Sequence, residues 1–536
     1  MAQKSVSVDK IYGVIGSGPA GIAATAALLK SGIRVVMLDS GIKIEPEKTV
    51  LIDRMSRLHK TKWSRQDIEL VKSGNKSSTR GIDVKTLFGS NFPYRDSSTT
   101  PSYINRNTNL IASRATGGFS NVWGASILPY RTSDIDNWPI SLDDLDKHYD
   151  EVVKITGISA VKDDLSTEFP IHSLKPGFLK LSPASEKFLK VLNTAKSKLS
   201  KNGWIWGQSR LAVKANSDDK DFTQGCSYCG LCIHGCPYNY IYNSSTTLEE
   251  FKLNPLFTYI DNVLVTSIQE SEDIVKVLGH HRVDLNNIEY IFKRVFLGAG
   301  VLGTAQIILK SENSYNTPLI LKDSQFFLVP FVSFKANELS SRDSDNTLSE
   351  IFIELKNKDI SPRSIHLQLY ACNEILSKTI ENMLGAFKFL SKLISPRIMV
   401  VLGYLHSDDS AEMVLTLKND KGTDYVEVLE KPSKNPKKVI SRVNSSFLKN
   451  WFNLGGFIVT PLLKIAKVGK SFHSGASFPM SQVPGRFKSD LMGRPYGWNR
   501  VHIVDASVLP SIPGTTITLT VMANSHRIGT LASELD

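Results

Sequence analysis

Cysteine is scarce in this chain, five residues in 536, and four of the five fall between positions 226 and 236. So uneven a spread excludes a disulfide-stapled scaffold and points to one local use of thiols. Long apolar runs are also missing. The best candidate, residues 383–405, is broken by Lys388, Lys392 and Arg397, short of the ~18 uninterrupted apolar residues that a membrane-spanning helix needs. No run of about five like charges and no nucleic-acid-binding module signature occurs, so nucleic acid is not an expected partner. No internal repeat or low-complexity segment stands out. The N-terminal MAQKSVSVDKIYGVIGSG leads into a strand-like run without an apolar signal-peptide core, which makes a cytoplasmic protein the expectation.

What remains has the composition of an ordinary globular protein, 41% hydrophobic and 22% charged, and is long enough for more than one domain. Lys and Arg outnumber Asp and Glu by 64 to 52, a net charge of +12. That excess favours acidic partners such as an anionic substrate, an acidic redox protein or lipid headgroups. A merely solvated basic surface accounts for it equally well.

Residues 11–15 read as a short buried strand, followed by Gly16, Ser17, Gly18, Pro19, Ala20 and Gly21 and then a helix-like run to Lys30. Each glycine has a distinct reason in a dinucleotide cradle. Gly16 makes the tight turn, Gly18 lets the backbone approach a pyrophosphate, and Gly21 allows helix and strand to pack closely. The helix start offers free N–H groups and the positive end of its dipole to phosphates. A second strand, 34–38, ends at Asp39, where a carboxylate can bind ribose hydroxyls.

The run Cys226, Cys229, Cys232, Cys236 has the spacing C-x2-C-x2-C-x3-C, with Pro237 next. Thiolates so spaced can wrap one iron-sulfur cluster, 4Fe-4S for preference. Zinc is the main rival, although zinc modules usually separate two cysteine pairs more widely, and free or redox thiols are the third reading. The fourth ligand is open: Cys236 folds back, Cys372 completes the set, or three cysteines hold a 3Fe-4S cluster.

Three further segments resemble the glucose-methanol-choline (GMC) family. They are Arg114 to Gly124, with Gly117, Gly118, Ser120 and Asn121, followed by Trp138-Pro139; Val295 to Thr304, with Ala299 and Gly300; and Val501 to Pro510, with Asp505 and Ala506. The resemblance implies FAD as cofactor, with these residues and Val265 beside it. It also implies an α/β protein, a Rossmann-like FAD domain interleaved with an α+β substrate domain on a mainly antiparallel sheet. The expected division is 1–125, 225–325 and 485–536 for the FAD domain, carrying the cysteine insert at 225–237, and 126–224 with 326–484 for the substrate domain.

By the same resemblance His473 faces the flavin and the substrate carbinol, where imidazole suits proton abstraction. The family usually sets an Asn or a second His opposite. Here Thr516 stands at that position, and a threonine hydroxyl cannot act as a neutral-pH base. Alternation in 364–370 puts His366, Gln368 and Tyr370 on one face of a strand; a solvent-facing strand is the expectation and an active-site wall the alternative. The other strands expected in the same sheet are 326–335, 351–355, 398–405, 413–417 and 425–429.

Residues 383–394 carry apolar side chains at helical spacing, and 451–468 is a second apolar stretch with Lys464 and Lys467. Packing on their own sheet is expected, with peripheral contact at an inner membrane surface or a redox partner as the alternative. Together these features predict a dehydrogenase that oxidises a CH–OH group of an alcohol or sugar-like small molecule. Electrons would leave through the cluster to a redox partner protein or quinone. The rivals are an oxygen-reducing alcohol oxidase with zinc or plain thiols, a lyase or isomerase using FAD structurally, and a non-catalytic electron-transfer or docking subunit.

Overall fold

A computed structural model describes residues 11–74, 85–96, 102–215, 222–335, 347–372 and 395–535. Five parallel strands form the first sheet, in the spatial order Val501–Ile503, Arg294–Leu297, Ile11–Ile15, Arg34–Leu38, Phe257–Ile260. Such strands are covered on both faces and therefore read as continuous Val, Ile and Leu runs; Arg294–Leu297 is buried at every position. Counted along the chain the order is 5-4-1-2-3, doubly wound. It reverses between the first and fourth strands, and ligands of such sheets bind in the crevice at that point.

Helix Pro19–Lys30 leaves the first strand, and helix Thr518–Ser533 lies against it. The C-terminal helix is buried on nearly all sides because its faces meet both that helix and helix Asp143–Thr156. Ser525 Oγ donates to the Ala20 carbonyl at 2.6 Å. A Cβ on Gly529 would stand 3.0 Å from the Ala27 methyl, so any side chain there obliges the two helices to give by a few tenths of an ångström. An antiparallel meander, Val263–Glu270, Val275–His281 and Asn287–Phe292, is inserted between the third and fourth parallel strands.

A separate seven-stranded antiparallel sheet contains Phe326–Ser333, Ile351–Leu355, Ile365–Ala371 and Ile398–Tyr404, and Trp204–Gln208 closes one edge. Helices Pro183–Thr194 and Asn435–Lys449 cover its outer face through Phe188, Leu192, Val439, Val443 and Phe447. The strands expected at 413–417 and 425–429 do not join it. As Glu412–Asp420 and Thr423–Lys431 they build a five-stranded sheet with Pro318–Asp323, Ser474–Gly475 and Ser102–Arg106. Their inward residues Met413, Leu415, Val426 and Val428 belong to the same core as the parallel sheet. Alternation identified these strands; it carries no information on which sheet they enter.

The apolar run 383–394 lies outside the described residues. The other run, 451–468, is no helix: Gly456–Ile458 and Lys464–Ile465 pair with Phe326–Ser333, while Trp451, Phe452 and Phe457 stay exposed. Among the described residues no helix is long and apolar enough to cross a membrane. Gly529→Val should cost about 1–3 kcal/mol through overpacking, read as a lower urea midpoint at unchanged slope.

Candidate active site

The first and fourth parallel strands end in glycine turns that touch. Gly16 has φ +97°, and a Cβ there would sit 2.5 Å from the Gly298 carbonyl oxygen. Gly21 is equally constrained, since its Cβ would fall 1.9 Å from the Gly16 oxygen. Gly18 differs: it has ordinary φ −67° and a Cβ would meet nothing within 4 Å. It is a glycine kept for space, on the rim of an elongated cleft with about 1510 Å³ between protein atoms, open water included.

Two helices begin at this cleft, Pro19–Lys30 and Gly300–Ser311; neither N-cap residue bonds its first turn through a side chain, and in the second helix the Gly300 N–H donates to the buried Asp505 side chain. Two helix dipole ends facing one crevice favour an anion between them. Asp39 accepts from the Ser17 and Gly41 N–H groups, each at 2.6 Å. Burial nevertheless holds its pKa above the usual carboxylate value. Gly117 N–H donates to Ser17 Oγ at 2.9 Å, and Gly118 faces Gly18, tying the second glycine segment to the first turn. Asp505 accepts from Thr304 Oγ1 at 2.5 Å and from Ser507 N–H at 2.9 Å.

Of the residues expected at a cofactor, Gly16, Gly18, Pro19, Ala20, Asp39, Gly118, Val265, Ala299, Gly300, Asp505 and Ala506 line the cleft. Gly21, Gly117, Ser120 and Asn121 do not; they stand behind the wall. Asn121 Nδ2 donates to the Thr116 and Gly118 carbonyls and Ser120 Oγ to that of Gly117, so both shape the turn without facing the cleft. Sequence reasoning missed the lining residues Tyr103, Phe119 and Phe472 and gave Arg114 no role. Arg114 and Phe119 stand inside the Arg114–Gly124 motif and Phe472 beside His473, without a role having been read for them; Tyr103 carried no spacing signal.

The cleft reaches Phe472 and Ser474, on either side of His473. Buried Asp323 shapes this loop by accepting from Ser471 Oγ and Ser474 Oγ, both at 2.7 Å, and from Gly469 N–H at 3.0 Å. Phe472 and Ala476 hold φ near +60°, a strained region for side-chain-bearing residues and one that clusters at working sites. His473 is half-buried, with Nδ1 enclosed and without a hydrogen-bond partner. Its ring stacks on Tyr404, centroids 4.9 Å apart. Burial, helped by nearby His366, pushes its pKa down to about 4, so the imidazole is neutral at pH 7.

The polar face of Ile365–Ala371 does not face solvent. His366 and Gln368 are buried in a chain of hydrogen bonds. Arg131 Nη1 donates to Glu354 at 2.9 Å, and Glu354 Oε1 lies 2.6 Å from His366 Nδ1. Gln368 Nε2 is 3.2 Å from His366 Nε2, and Tyr370 OH donates to Gln368 Oε1 at 2.9 Å. With the carboxylate accepting from Nδ1, Nε2 becomes the acceptor and every later orientation follows. Alternation had shown which residues share the face, and the loop carrying His473 is what covers it. Thr516 lies elsewhere in the hydrogen-bonding scheme: its Oγ1 accepts the Leu128 N–H at 3.0 Å, and it does not line the cleft.

Cys226, Cys229, Cys232 and Cys236 all line one small cavity with Val213, Tyr238, Tyr240, Ile241 and Leu348; Cys372 does not. Tyr240 N–H donates to Cys236 Sγ at 3.3 Å, and backbone N–H groups of Tyr228 and Leu231 bond Cys226 and Cys229. Burial raises the pKa values of the Cys226, Cys229 and Cys236 thiols, that of Cys236 to about 11. Among the described residues no three His, Cys, Asp or Glu side chains are grouped so as to hold a metal ion. The segment adjoins the second glycine segment directly. Trp123 Nε1 donates to the Tyr242 carbonyl at 2.9 Å, Asn243 Nδ2 to Asn121 Oδ1 at 2.7 Å, and Ser244 N–H to Ser120 Oγ at 3.0 Å.

No family model and no curated protein matches this chain. A solved structure does: pyridoxine 4-oxidase from Mesorbium loti superposes on 98% of this chain and 99% of its own at a TM-score of 0.61, with 11% identity. The chain shares the mixed α/β fold of that structure, with parallel and antiparallel sheets. The likeness at this identity is one of fold, and chemistry rests on the site. Two glycines separate fold from cofactor. Gly21→Ala should destabilise the apoprotein by forcing the Gly16 turn apart, whereas Gly18→Val should leave its urea midpoint unchanged and abolish dinucleotide retention, read by nucleotide release on denaturation.

Proposed function

We propose that this chain is an FAD-dependent oxidoreductase acting on a CH–OH group of a small alcohol or sugar-like substrate. The observation that carries this reading is one cleft bounded by two helix starts at the switch point and reaching the loop of His473. The residues fit the cofactor: Gly16, Gly18 and Ala299-Gly300 would cradle the diphosphate, Asp39 a ribose, and Gly118 and Ala506 the wall beside the ring system. Bound there, FAD supplies a hydride acceptor. Neutral His473 takes the hydroxyl proton, and its unpartnered Nδ1 suits a group that completes its bonding only with a ligand present. Tyr370, whose pKa burial keeps above the ordinary phenol value, stays protonated as a hydrogen-bonding wall. The Arg131–Glu354–His366–Gln368 chain orients it.

The finer reading is a dehydrogenase that exports electrons through an iron-sulfur cluster on Cys226, Cys229, Cys232 and Cys236 to a redox protein or quinone. Supporting it are the shared cavity, the amides aimed at sulfur and the bonds from Asn243 and Ser244 to the glycine segment. Lys85, its pKa lowered to about 8 by burial although Cys232 and Cys236 pull it upward, is a cation poised beside them.

Anoxic purification with ample riboflavin and iron should give flavin bands plus broad absorbance near about 400 nm that dithionite bleaches. A flavin-only spectrum, with zinc by elemental analysis, would leave the oxygen-reducing oxidase. With any alcohol that bleaches the flavin anaerobically, His473→Ala should slow bleaching by roughly 10²–10⁴-fold at full flavin content; unchanged bleaching removes His473 from the chemistry. The lowered pKa means the base is lost only on strong acidification. The acid limb of kcat/KM should therefore fall near pH 4, and a limb near the ordinary histidine value would contradict a buried neutral base.

A further inference from the structure

The positive charge of this protein is concentrated. Residues 431–489 hold eleven Lys and Arg and not one Asp or Glu, so the remaining 477 residues carry only one unit of the net +12. Helix Asn435–Lys449 presents part of this charge as a stripe, with Lys437, Lys438, Arg442 and Lys449 exposed opposite the buried Val439, Val443 and Phe447. Lys434, Lys464 and Lys467 are exposed as well. Among the described residues no carboxylate pairs with Lys434, Lys437, Lys438, Lys449, Lys464 or Lys467, although exposed lysines elsewhere do find acids, such as Lys30 with Glu151 and Lys431 with Glu412.

The stripe leads to the largest aromatic exposure in this part of the fold. Trp451 is 49% exposed, Phe452 75%, Phe457 42% and Phe334 40%. They form one patch: Trp451 and Phe457 flank Phe334 with ring centroids 5.4 and 6.4 Å away, and Phe452 lies 6.3 Å from Trp451. A contiguous apolar patch of this kind marks an interaction site, whereas scattered exposed side chains do not.

We propose that this end of the seven-stranded sheet is a docking face for an anionic lipid surface. A bilayer surface is layered, with apolar chains below and phosphates above. Rings that enter the interface beside unpaired lysines, whose stems lie along apolar surface while the ammonium stays at the phosphates, match both layers. An acidic protein partner would satisfy the lysines and leave the rings without their layer. Each lysine near such a surface raises partitioning roughly fivefold, so a group of six dominates the affinity and makes it salt-sensitive. Docking here is independent of the chemistry proposed above.

The test is co-sedimentation of the purified full chain with phosphatidylcholine vesicles, with and without about 30% phosphatidylglycerol, at low and high salt. Binding should require the anionic lipid and be lost in high salt. The variant K434E/K437E/K438E, changed at exposed positions, should bind at least about tenfold less, and W451S/F452S likewise, with thermal midpoints unchanged. Failure of the wild-type chain to sediment with anionic vesicles would overturn the proposal, as would equal binding by both variants. Sedimentation velocity provides a further arm: a dimer that W451S/F452S turns into a monomer would assign the patch to a second copy of the chain and overturn lipid docking.

Discussion

Two backbone turns, at Gly16 and Gly298, lie against each other with no side chain between them, and the site depends on that contact. It fixes the separation of the first and fourth parallel strands at the place where strand order reverses. From there two helices diverge with their first amides facing the same crevice. A side chain at either Gly16 or Gly21 would wedge the turns apart, and both helix starts would lose their common focus. The remainder of the cleft wall, from the Gly117–Gly118 turn to Asp505, is hung on this arrangement through Ser17, Thr304 and their partners.

Buried carboxylates recur as organisers. Asp39, Asp323 and Asp505 each gather backbone amides or hydroxyls from a loop that has little other reason to hold its shape, and Glu354 does so for a strand face. Taking an acid out of water is costly, and burial keeps the pKa of the three aspartates raised. Each site offsets that cost with several short bonds, and the result is a loop with one conformation. The loop of His473 is one of these. Its positive-φ residues persist because Asp323 over-determines the backbone around them.

Residues 11–39 were largely legible because glycine spacing maps onto backbone contacts that can be reasoned about singly. Gly16, Gly18 and Gly21 stand where turn, space and packing demanded. The strands were legible too, since alternation is local. What covers each strand face is a long-range matter, and there local reading failed: His366 and Gln368 lie under a loop about a hundred residues further on, and 413–417 and 425–429 joined a different sheet. Ser120 and Asn121 were found as a motif, but the motif could not say that their amides and hydroxyl turn away from the cleft. The cysteine spacing was read as an iron-sulfur site; the structure shows the four thiols at one cavity.

The pairing of helix Pro19–Lys30 with helix Thr518–Ser533 also bears on how the polypeptide is made. At ribosomal speeds of ~5–20 residues per second, the partner surface of the first helix emerges on the order of 25 to 100 seconds after the helix itself. Throughout that interval an alanine- and leucine-rich face has no native cover, and the fifth strand of the parallel sheet does not yet exist. Until its partner is made, that face is open to the surface-driven aggregation that chaperones exist to prevent, and yield in a foreign host should depend more on holdase capacity than on the final stability of the protein.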